Sequence, residues 1–185
     1  RKVYNFGTFD TEDPTLQFKY AKGILTYWLS VAPYGLTLRH EKFMNRGLVL
    51  RTLDLDAKQA ATVAQDLEKN ALPEHRAYLY RHYTDNCCTR IRDILDNISE
   101  GAINRGKKAS VTKNTYRDWT RRALDGLPVM RTLILFALGP RIDRPVTRFE
   151  EYFLPAPFSE DIDQVRLGSD RHNKPLVMNK QTIFE

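Results

Sequence analysis

The sequence has few of the features that usually reveal a protein's function. Its 185 residues contain no Gly-rich loop of the type that cradles phosphates, which argues against a nucleotide-dependent enzyme. The longest aliphatic run, residues 133–138, is far shorter than the roughly 20 residues that cross a bilayer. The chain opens at Arg1 without a signal peptide, so we expect an upstream segment to precede it, and the compartment is left open.

Cysteine is scarce, and the only two, Cys87 and Cys88, are adjacent. Neighbouring cysteines rarely form a disulfide with each other because the resulting ring is strained. Two thiols without a third ligand nearby do not form a zinc signature either. We therefore expect neither a disulfide framework nor a metal site, and no cofactor. The alternative interpretation is that one or both thiols are small buried hydrophobic side chains.

The composition is that of an ordinary folded domain. Hydrophobic residues make up 42% of the chain and charged residues 28%, and the length suits one domain. The formal net charge of +6 favours an anionic partner such as nucleic acid, cell-wall polymer or acidic lipid headgroups, and the charge does not choose among them. The basic residues are dispersed and form no run of the kind found in nucleic-acid-binding arms, so we expect no nucleic-acid partner.

The hydrophobic pattern predicts an α+β fold in which helices dominate beside a small antiparallel sheet. Strands are predicted for residues 2–9 and 48–55. We expect a single domain over residues 1–167, with a mobile loop at 101–113, and a polar C-terminal tail over 168–185. The predicted helices cover residues 14–27, 34–45, 57–70, 87–98, 116–124, 127–138, 148–153 and 158–167.

The most informative segment surrounds the two cysteines. Asp85 and Asn86 are a natural helix-capping pair, so the next helix is predicted to begin at Cys87. In that first turn, free backbone N–H groups, the helix dipole and the charges of Arg90 and Arg92 favour a thiolate, which is the nucleophilic form of cysteine. Cys88 falls on the apolar side of the same turn and is expected to be buried and inert. The competing interpretation is that the cysteine at the helix start is structural.

A thiol nucleophile also needs a base, normally a histidine that a third polar group holds in place. The four histidines are His40, His75, His82 and His172. None of them lies on a predicted strand facing the cysteine helix, and a lone histidine is usually a surface or structural residue. The residues alone therefore indicate a nucleophile and leave its base unassigned.

Two motifs in the chain are specific enough to indicate a family. One is a Tyr-Asn-aromatic-Gly strand at residues 4–7, and the other is the helix start Asp-Asn-Cys-x-Thr-Arg at residues 85–90. They belong to a series of segments that occur in a fixed order. This series resembles the Lnb-type periplasmic domain, a bacterial envelope family linked to N-acylation of lipoproteins, and the resemblance covers residues 3–162. The segments are residues 3–10, 53–55, 85–93, 138–144 and 153–155.

The resemblance implies a fold and a set of site residues. The family is similar to circularly permuted papain-like proteins of the NlpC/P60 and lecithin:retinol acyltransferase type, in which the sheet packs on the helix that bears the cysteine. It implies that Cys87 is the nucleophile and that the third polar member is Tyr4 or Asn5. The family's histidine lies on an earlier strand, so we expect this chain to lack that strand and, with it, the base. The residues implied to support Cys87 are Asp85, Asn86, Thr89, Arg90, Tyr4 and Asn5.

By the same resemblance, the expected activity is acyl transfer in the periplasm or on the periplasmic side of a membrane. Cys87 takes an acyl chain from a phospholipid as a thioester and passes it to the amino terminus of a lipoprotein. A papain-like amidase or peptidase acting on cell-wall peptide, and a non-catalytic envelope binding module, are the alternatives. Residues 133–138 either line an acyl groove or pack in the core, and core packing is the expectation. The sequence predicts no oligomeric state.

Overall fold

The structure is a computed structural model that describes residues 1–168 and 174–184. Helices alternate with short antiparallel strands, which confirms the predicted α+β class. The strands are β1 (Lys2–Thr8), β2 (Thr26–Pro33), β3 (Leu48–Leu53), β4 (Ala77–Leu79), β5 (Val111–Thr115), β6 (Pro145–Thr147), β7 (Arg166–Leu167), β8 (Lys174–Pro175) and β9 (Val177–Phe184). The helices are α1 (Leu16–Lys22), α2 (Tyr34–Phe43), α3 (Ala57–Asn70), α4 (Cys87–Ile98), α5 (Tyr116–Ala123), α6 (Pro128–Leu138), α7 (Arg148–Glu151) and α8 (Pro155–Ile162).

The two helices at the centre of the chain begin and end where the sequence predicts, because their caps are local. α3 follows Asp56, whose carboxylate accepts a hydrogen bond from the backbone N–H of Gln59 at 2.8 Å. The Gln59 side chain accepts one from the N–H of Asp56 in return, which completes a capping box. α4 begins at Cys87 after an equivalent cap, and it too spans its predicted length.

A three-stranded antiparallel sheet with the order β1-β2-β4 contains a strand that the sequence analysis missed. The prediction continued the first helix to Tyr27, which is wrong. α1 ends at Lys22 because Gly23 adopts a left-handed conformation with a φ of 67°. The residues that follow are β-branched and aromatic and form β2, in which Tyr27 pairs with Tyr78 of β4.

The three-stranded sheet packs against α4 through a small aromatic core. Phe6, Leu29 and Tyr78 are buried in this core. Cys87 and Ile94 of α4 pack against them from the helix side. The sheet therefore lies on the helix that bears the cysteine, and the first turn of that helix lies beside β1.

Residues 101–113 do not form the mobile loop that their Gly, Lys and Ser content predicts. Ile103 is 1% exposed and lies in a core cluster with Tyr152. The next residue, Asn104, donates its backbone N–H to the Asp96 carboxylate at 2.8 Å. Buried apolar side chains and hydrogen bonds to distant residues, such as that of Lys107 with Asp161, thus order a segment whose composition indicates mobility.

The polar tail expected from residue 168 onward is wrong for residues 174–184. β9 pairs antiparallel with the whole of β3, and Leu176, which precedes β9, is fully buried. Arg51 of β3 binds both carboxylate oxygens of Asp163, at 2.6 and 3.2 Å. A strand with polar side chains is held here by backbone hydrogen bonds to a distant segment, and hydrophobic patterning does not detect it.

Helices α5 and α6 follow each other and pack together. Leu135 and Leu138 of α6 pack against a cluster around Tyr116, as core packing predicts. Leu133 and Phe136, in the same aliphatic and aromatic segment, are 61% and 88% exposed. The expected core packing of this segment therefore holds on one side of the helix only.

Candidate functional site

Asn86 fixes the start of α4 through a capping box with Thr89. Its Oδ1 accepts a hydrogen bond from the Thr89 N–H at 2.9 Å, and Thr89 Oγ1 accepts one from the Asn86 N–H at 2.8 Å. The Asn86 amide also donates to the carbonyl oxygens of His82 and Phe153, at 2.7 and 2.9 Å. Asn86 and Thr89 are buried, so these bonds are shielded from water and hold the first helical turn in place.

Asp85 and Arg90 form an ion pair across the same turn. Both guanidinium–carboxylate contacts are short, at 2.8 and 2.9 Å, and the pair is bidentate. The guanidinium also lies over the ring of Tyr78, 3.8 Å from its centroid. The pair holds the first turn of α4 against Tyr78 of the sheet. Because Asp85 offsets the charge of Arg90, this charge stabilises the thiolate less than the sequence suggests.

Cys87 lies beside a bulge in β1. The register of β1 against β2 shifts between Asn5 and Thr8, and Asn5 Oδ1 accepts a hydrogen bond from the Gly7 N–H at 2.8 Å. A Cβ atom added to Gly7 would lie 3.9 Å from the Cβ of Cys87 and only 3.2 Å from Asn5 Oδ1. Glycine at this position therefore lets β1 approach the first turn of α4 closely, and Asn5 holds the bulge in which Gly7 lies.

Tyr4, the other suggested polar partner of the thiol, is engaged with α3. Its hydroxyl donates to the Glu68 carboxylate, which also binds the Lys2 ammonium at 2.6 Å. The hydrogen bond to Glu68 raises the pKa of Tyr4. The structure thus turns the Asn5 side chain onto Gly7, which is the neighbour of Cys87, and holds the Tyr4 hydroxyl at the α3 side of the sheet.

Hydrogen bonds lower the pKa of the Cys87 thiol. The largest contribution is the side-chain hydrogen bond from Cys88, the backbone N–H groups of Cys88 and Cys87 add to it, and burial opposes them. The same side-chain bond, together with burial, raises the pKa of Cys88. Both thiols are free of disulfides. The depressed pKa expected from the sequence is present, and Cys88 rather than Arg90 is its main cause.

Three tyrosines that the sequence analysis did not assign surround Cys87, and we call Tyr27, Tyr78 and Tyr80 the aromatic wall. Burial raises the pKa of each of them, and the nearby thiolate of Cys87 raises it further. The rings of Tyr27 and Tyr80 stack with centroids 4.3 Å apart. The sequence carried a signal for this wall, because Tyr78 and Tyr80 occupy alternate positions and so share one face of an extended chain.

His82 is the histidine that contacts the aromatic wall. Its Nδ1 lies 3.1 Å from the Tyr80 hydroxyl, and burial lowers its pKa, which keeps the ring neutral at physiological pH. His40 lies on α2 and His75 in the turn after α3, and both are exposed. His172 lies outside the described residues. The structure therefore gives His82 a packing role and assigns the base of Cys87 to none of the three described histidines.

A cleft of about 460 Å³ lies beside the Asp85–Arg90 pair. It combines apolar side chains with this ion pair next to the first turn of α4, and Cys87 is not among the residues that line it. Within residues 1–168 and 174–184, no group of three or more histidine, cysteine or carboxylate side chains is placed to hold a metal ion. The cleft is lined by Phe6, Asn70, Thr84, Asp85, Arg90, Asp93 and Ile94.

About two thirds of the chain matches a known protein family. A model of the Lnb N-terminal periplasmic domain matches residues 3–122, which include β1, the aromatic wall and the whole of α4. The chain belongs to this family. The match confirms the resemblance carried by the two sequence motifs. No curated protein and no solved structure matches the chain.

Membership of the Lnb family associates the chain with the periplasm, because the family is one of periplasmic domains. None of the helices in the described part of the chain is long and apolar enough to cross a membrane. The match ends at residue 122, so α6 and the C-terminal strands lie beyond the region that the family model covers.

Proposed function

We propose that this Lnb-type domain catalyses cysteine-dependent acyl transfer in the bacterial envelope and N-acylates lipoproteins with an acyl chain from a phospholipid. The observation that carries the proposal is the state of the Cys87 thiol. It lies in the first turn of a helix, hydrogen bonds lower its pKa, and its side chain is only partly buried. A nucleophilic thiol requires a stabilised thiolate and access for the substrate, and these observations support both.

In the first step, the Cys87 thiolate attacks the carbonyl carbon of a phospholipid ester. The C–S bond forms, the ester C–O bond breaks, and the lysophospholipid leaves as an alcohol after taking up a proton. The backbone N–H groups of Cys87 and Cys88 stabilise the thiolate before the attack, and they are the groups of the first turn of α4 that would stabilise the oxyanion of the tetrahedral intermediate. The capping box of Asn86 and Thr89 keeps these groups in a fixed orientation.

In the second step, the free amine at the amino terminus of a lipid-modified lipoprotein attacks the thioester. An amide bond forms, the C–S bond breaks, the amine loses a proton, and the Cys87 thiolate is regenerated. The hydrogen bond from Cys88 stabilises the returning charge, as it does before the first attack. The net reaction converts an ester and an amine into an alcohol and an amide, without a change of oxidation state.

Two features are compatible with a lipid donor. Cys87 packs against the cluster of Phe6, Leu29 and Tyr78, so the surroundings of the thiol are apolar on that side. The formal net charge of +6 favours approach to anionic phospholipid headgroups. The same charge would attract an anionic cell-wall polymer, so the detection of an acyl-enzyme decides the donor.

The test is the detection of an acyl-enzyme. The protein is incubated with vesicles that contain phosphatidylglycerol, and its peptides are then analysed by mass spectrometry. We expect an acyl mass on the peptide that contains Cys87, and we expect neutral hydroxylamine to remove it because it is a thioester. The Cys87→Ser variant should carry no such adduct, whereas Cys88→Ser should still carry one on Cys87.

The alternatives give different results in the same assay. Cleavage of an amide in cell-wall peptide by Cys87, without any acyl adduct from phospholipid, would indicate the papain-like amidase or peptidase. Intact envelope function in a Cys87→Ser strain would indicate a non-catalytic binding module. Either result would contradict the acyltransferase proposal.

A further inference from the structure

Helix α6 has two apolar faces, and the described residues 1–168 and 174–184 cover only one of them. Leu135 and Leu138 pack inward against the cluster around Tyr116. The side chains on the opposite side follow the spacing of a helical face and are between 52% and 88% exposed. We call them the outward face of α6. They are Val129, Met130, Leu133 and Phe136.

The orientation of α6 is held by α5. Arg117 donates hydrogen bonds to the carbonyl oxygens of Leu135 and Gly139, at 3.1 and 2.7 Å, and also pairs with Asp143. These contacts satisfy carbonyl groups at the C-terminal end of α6 that have no partner within the helix. Rolling the helix to bury its outward face would break them and expose Leu135 and Leu138 instead. The outward face is therefore a stable feature of the folded chain.

The segment around α6 carries an excess of positive charge. Residues 116–144 contain six arginines against three aspartates. Four of these arginines form ion pairs, three with the aspartates and Arg144 with Glu150, which leaves Arg122 and Arg141 as the excess. Arg122 is exposed on α5, and Arg141 is exposed just after α6. An apolar helix face followed by an exposed arginine is complementary to a bilayer surface with anionic headgroups, where the apolar side chains enter the acyl region and the arginine meets phosphates.

The length of α6 determines how it would meet a bilayer. Its 11 residues span about 16 Å, which is about half the thickness of the hydrocarbon core, so it cannot cross. A short helix with one exposed apolar face lies instead in the plane of the interface. The face is also the convex side of a helix rather than a groove, which suits a fluid lipid surface better than a protein segment.

We propose that the outward face of α6 docks the domain onto an anionic phospholipid bilayer. The bilayer would then be the source of the acyl donor for the proposed acyltransferase, so this inference rests on the proposed function. The docking itself uses α6 and does not depend on Cys87. α5 connects the two regions, because the Tyr83 hydroxyl lies 2.6 Å from Thr120 Oγ1 and the Tyr83 ring packs 4.5 Å from that of Tyr116. Docking through α6 would thus hold the loop before Cys87 in a fixed orientation to the bilayer.

The experiment is co-sedimentation of the protein with vesicles of phosphatidylglycerol and phosphatidylcholine. We expect the double variant Leu133→Ser/Phe136→Ser to weaken binding by at least about tenfold, because two large apolar side chains no longer enter the bilayer. The matched control is Phe43→Ser on α2, where an equally exposed aromatic side chain (86%) lies outside the face, and it should bind like the parent protein. Arg141→Gln should weaken binding to these vesicles and leave binding to pure phosphatidylcholine unchanged.

Three outcomes would overturn the docking proposal. The first is equal binding by the parent protein and the double variant. The second is binding that does not differ between anionic and neutral vesicles. The third is a dimer of the parent protein that the double variant dissociates, which would make the face a protein interface. Cys87→Ser should bind vesicles like the parent, so a domain that docks without transferring acyl groups would refute the catalytic proposal alone.

Discussion

The first turn of α4 and the outward face of α6 differ in what they bury. The first turn of α4 buries polar side chains, and the outward face of α6 exposes apolar ones. Around Cys87, the chain buries the polar side chains of Asn86 and Thr89 and satisfies them with hydrogen bonds. On α6, it leaves large apolar side chains such as Leu133 and Phe136 in water. Buried polar networks specify a rigid geometry, whereas exposed apolar patches mark contact surfaces. The difference supports the proposed chemistry in the first region and the proposed membrane contact in the second.

The largest effect that would test this division is the loss of the nucleophile. We expect Cys87→Ser to lower the rate of acyl transfer by at least about 1000-fold, because a serine hydroxyl is not ionised at neutral pH. Release of lysophospholipid measures the rate. Cys88→Ser should keep substantial activity, since it retains the attacking sulfur. Equal losses in the two variants would remove the distinction between nucleophile and hydrogen-bond donor.

The next effect is on stability, and it compares two helix caps. Asn86→Ala removes a cap and leaves the buried carbonyl groups of His82 and Phe153 without their donor, so it should lower the free energy of unfolding by about 2–4 kcal/mol. Asp56→Ala removes only the exposed cap of α3 and should lower it by about 1 kcal/mol. Urea denaturation measures both. Similar values would show that the network around Asn86 adds little beyond capping.

A smaller effect concerns the pH dependence of the thiol. Because the pKa of Cys87 is lowered, its alkylation should reach half of its maximal rate well below pH 8.5, the value for an ordinary thiol. Cys88→Ala removes the main cause, so the profile should move to higher pH, and labelling at pH 6 should become several-fold slower because less of the thiol is ionised. Iodoacetamide labelling with peptide mapping measures this. An unchanged profile would contradict the role of Cys88.

The smallest expected effect is at α6. Phe136→Ser should change the free energy of unfolding by less than about 0.5 kcal/mol, because the side chain is already in water. Phe153→Ala, in the buried core, should destabilise the protein by about 3–5 kcal/mol. Thermal or urea unfolding compares them. Strong destabilisation by Phe136→Ser would show that the outward face is packed within the folded chain.

Elements specified by near neighbours were predictable from the sequence. The caps at Asp56 and Asn86 connect positions three residues apart, so the starts of α3 and α4 were placed correctly. β2 was not predicted, because the apolar residues from Leu16 to Tyr27 recur at helical spacing and only Gly23 marks the end of α1. The tail was misassigned because the pairing of β9 with β3 joins segments more than a hundred residues apart.

The sequence by itself determined the α+β class, the family, and the cysteine at the start of a capped helix. These follow from composition and from motifs whose residues are close along the chain. Only the tertiary structure brought Gly7 against Cys87, assembled the aromatic wall, and left one face of α6 in solvent. The physical reason is that each of these three features depends on which distant parts of the chain come into contact. Periodicity along the chain shows that a helix face is apolar, but it does not show what covers that face.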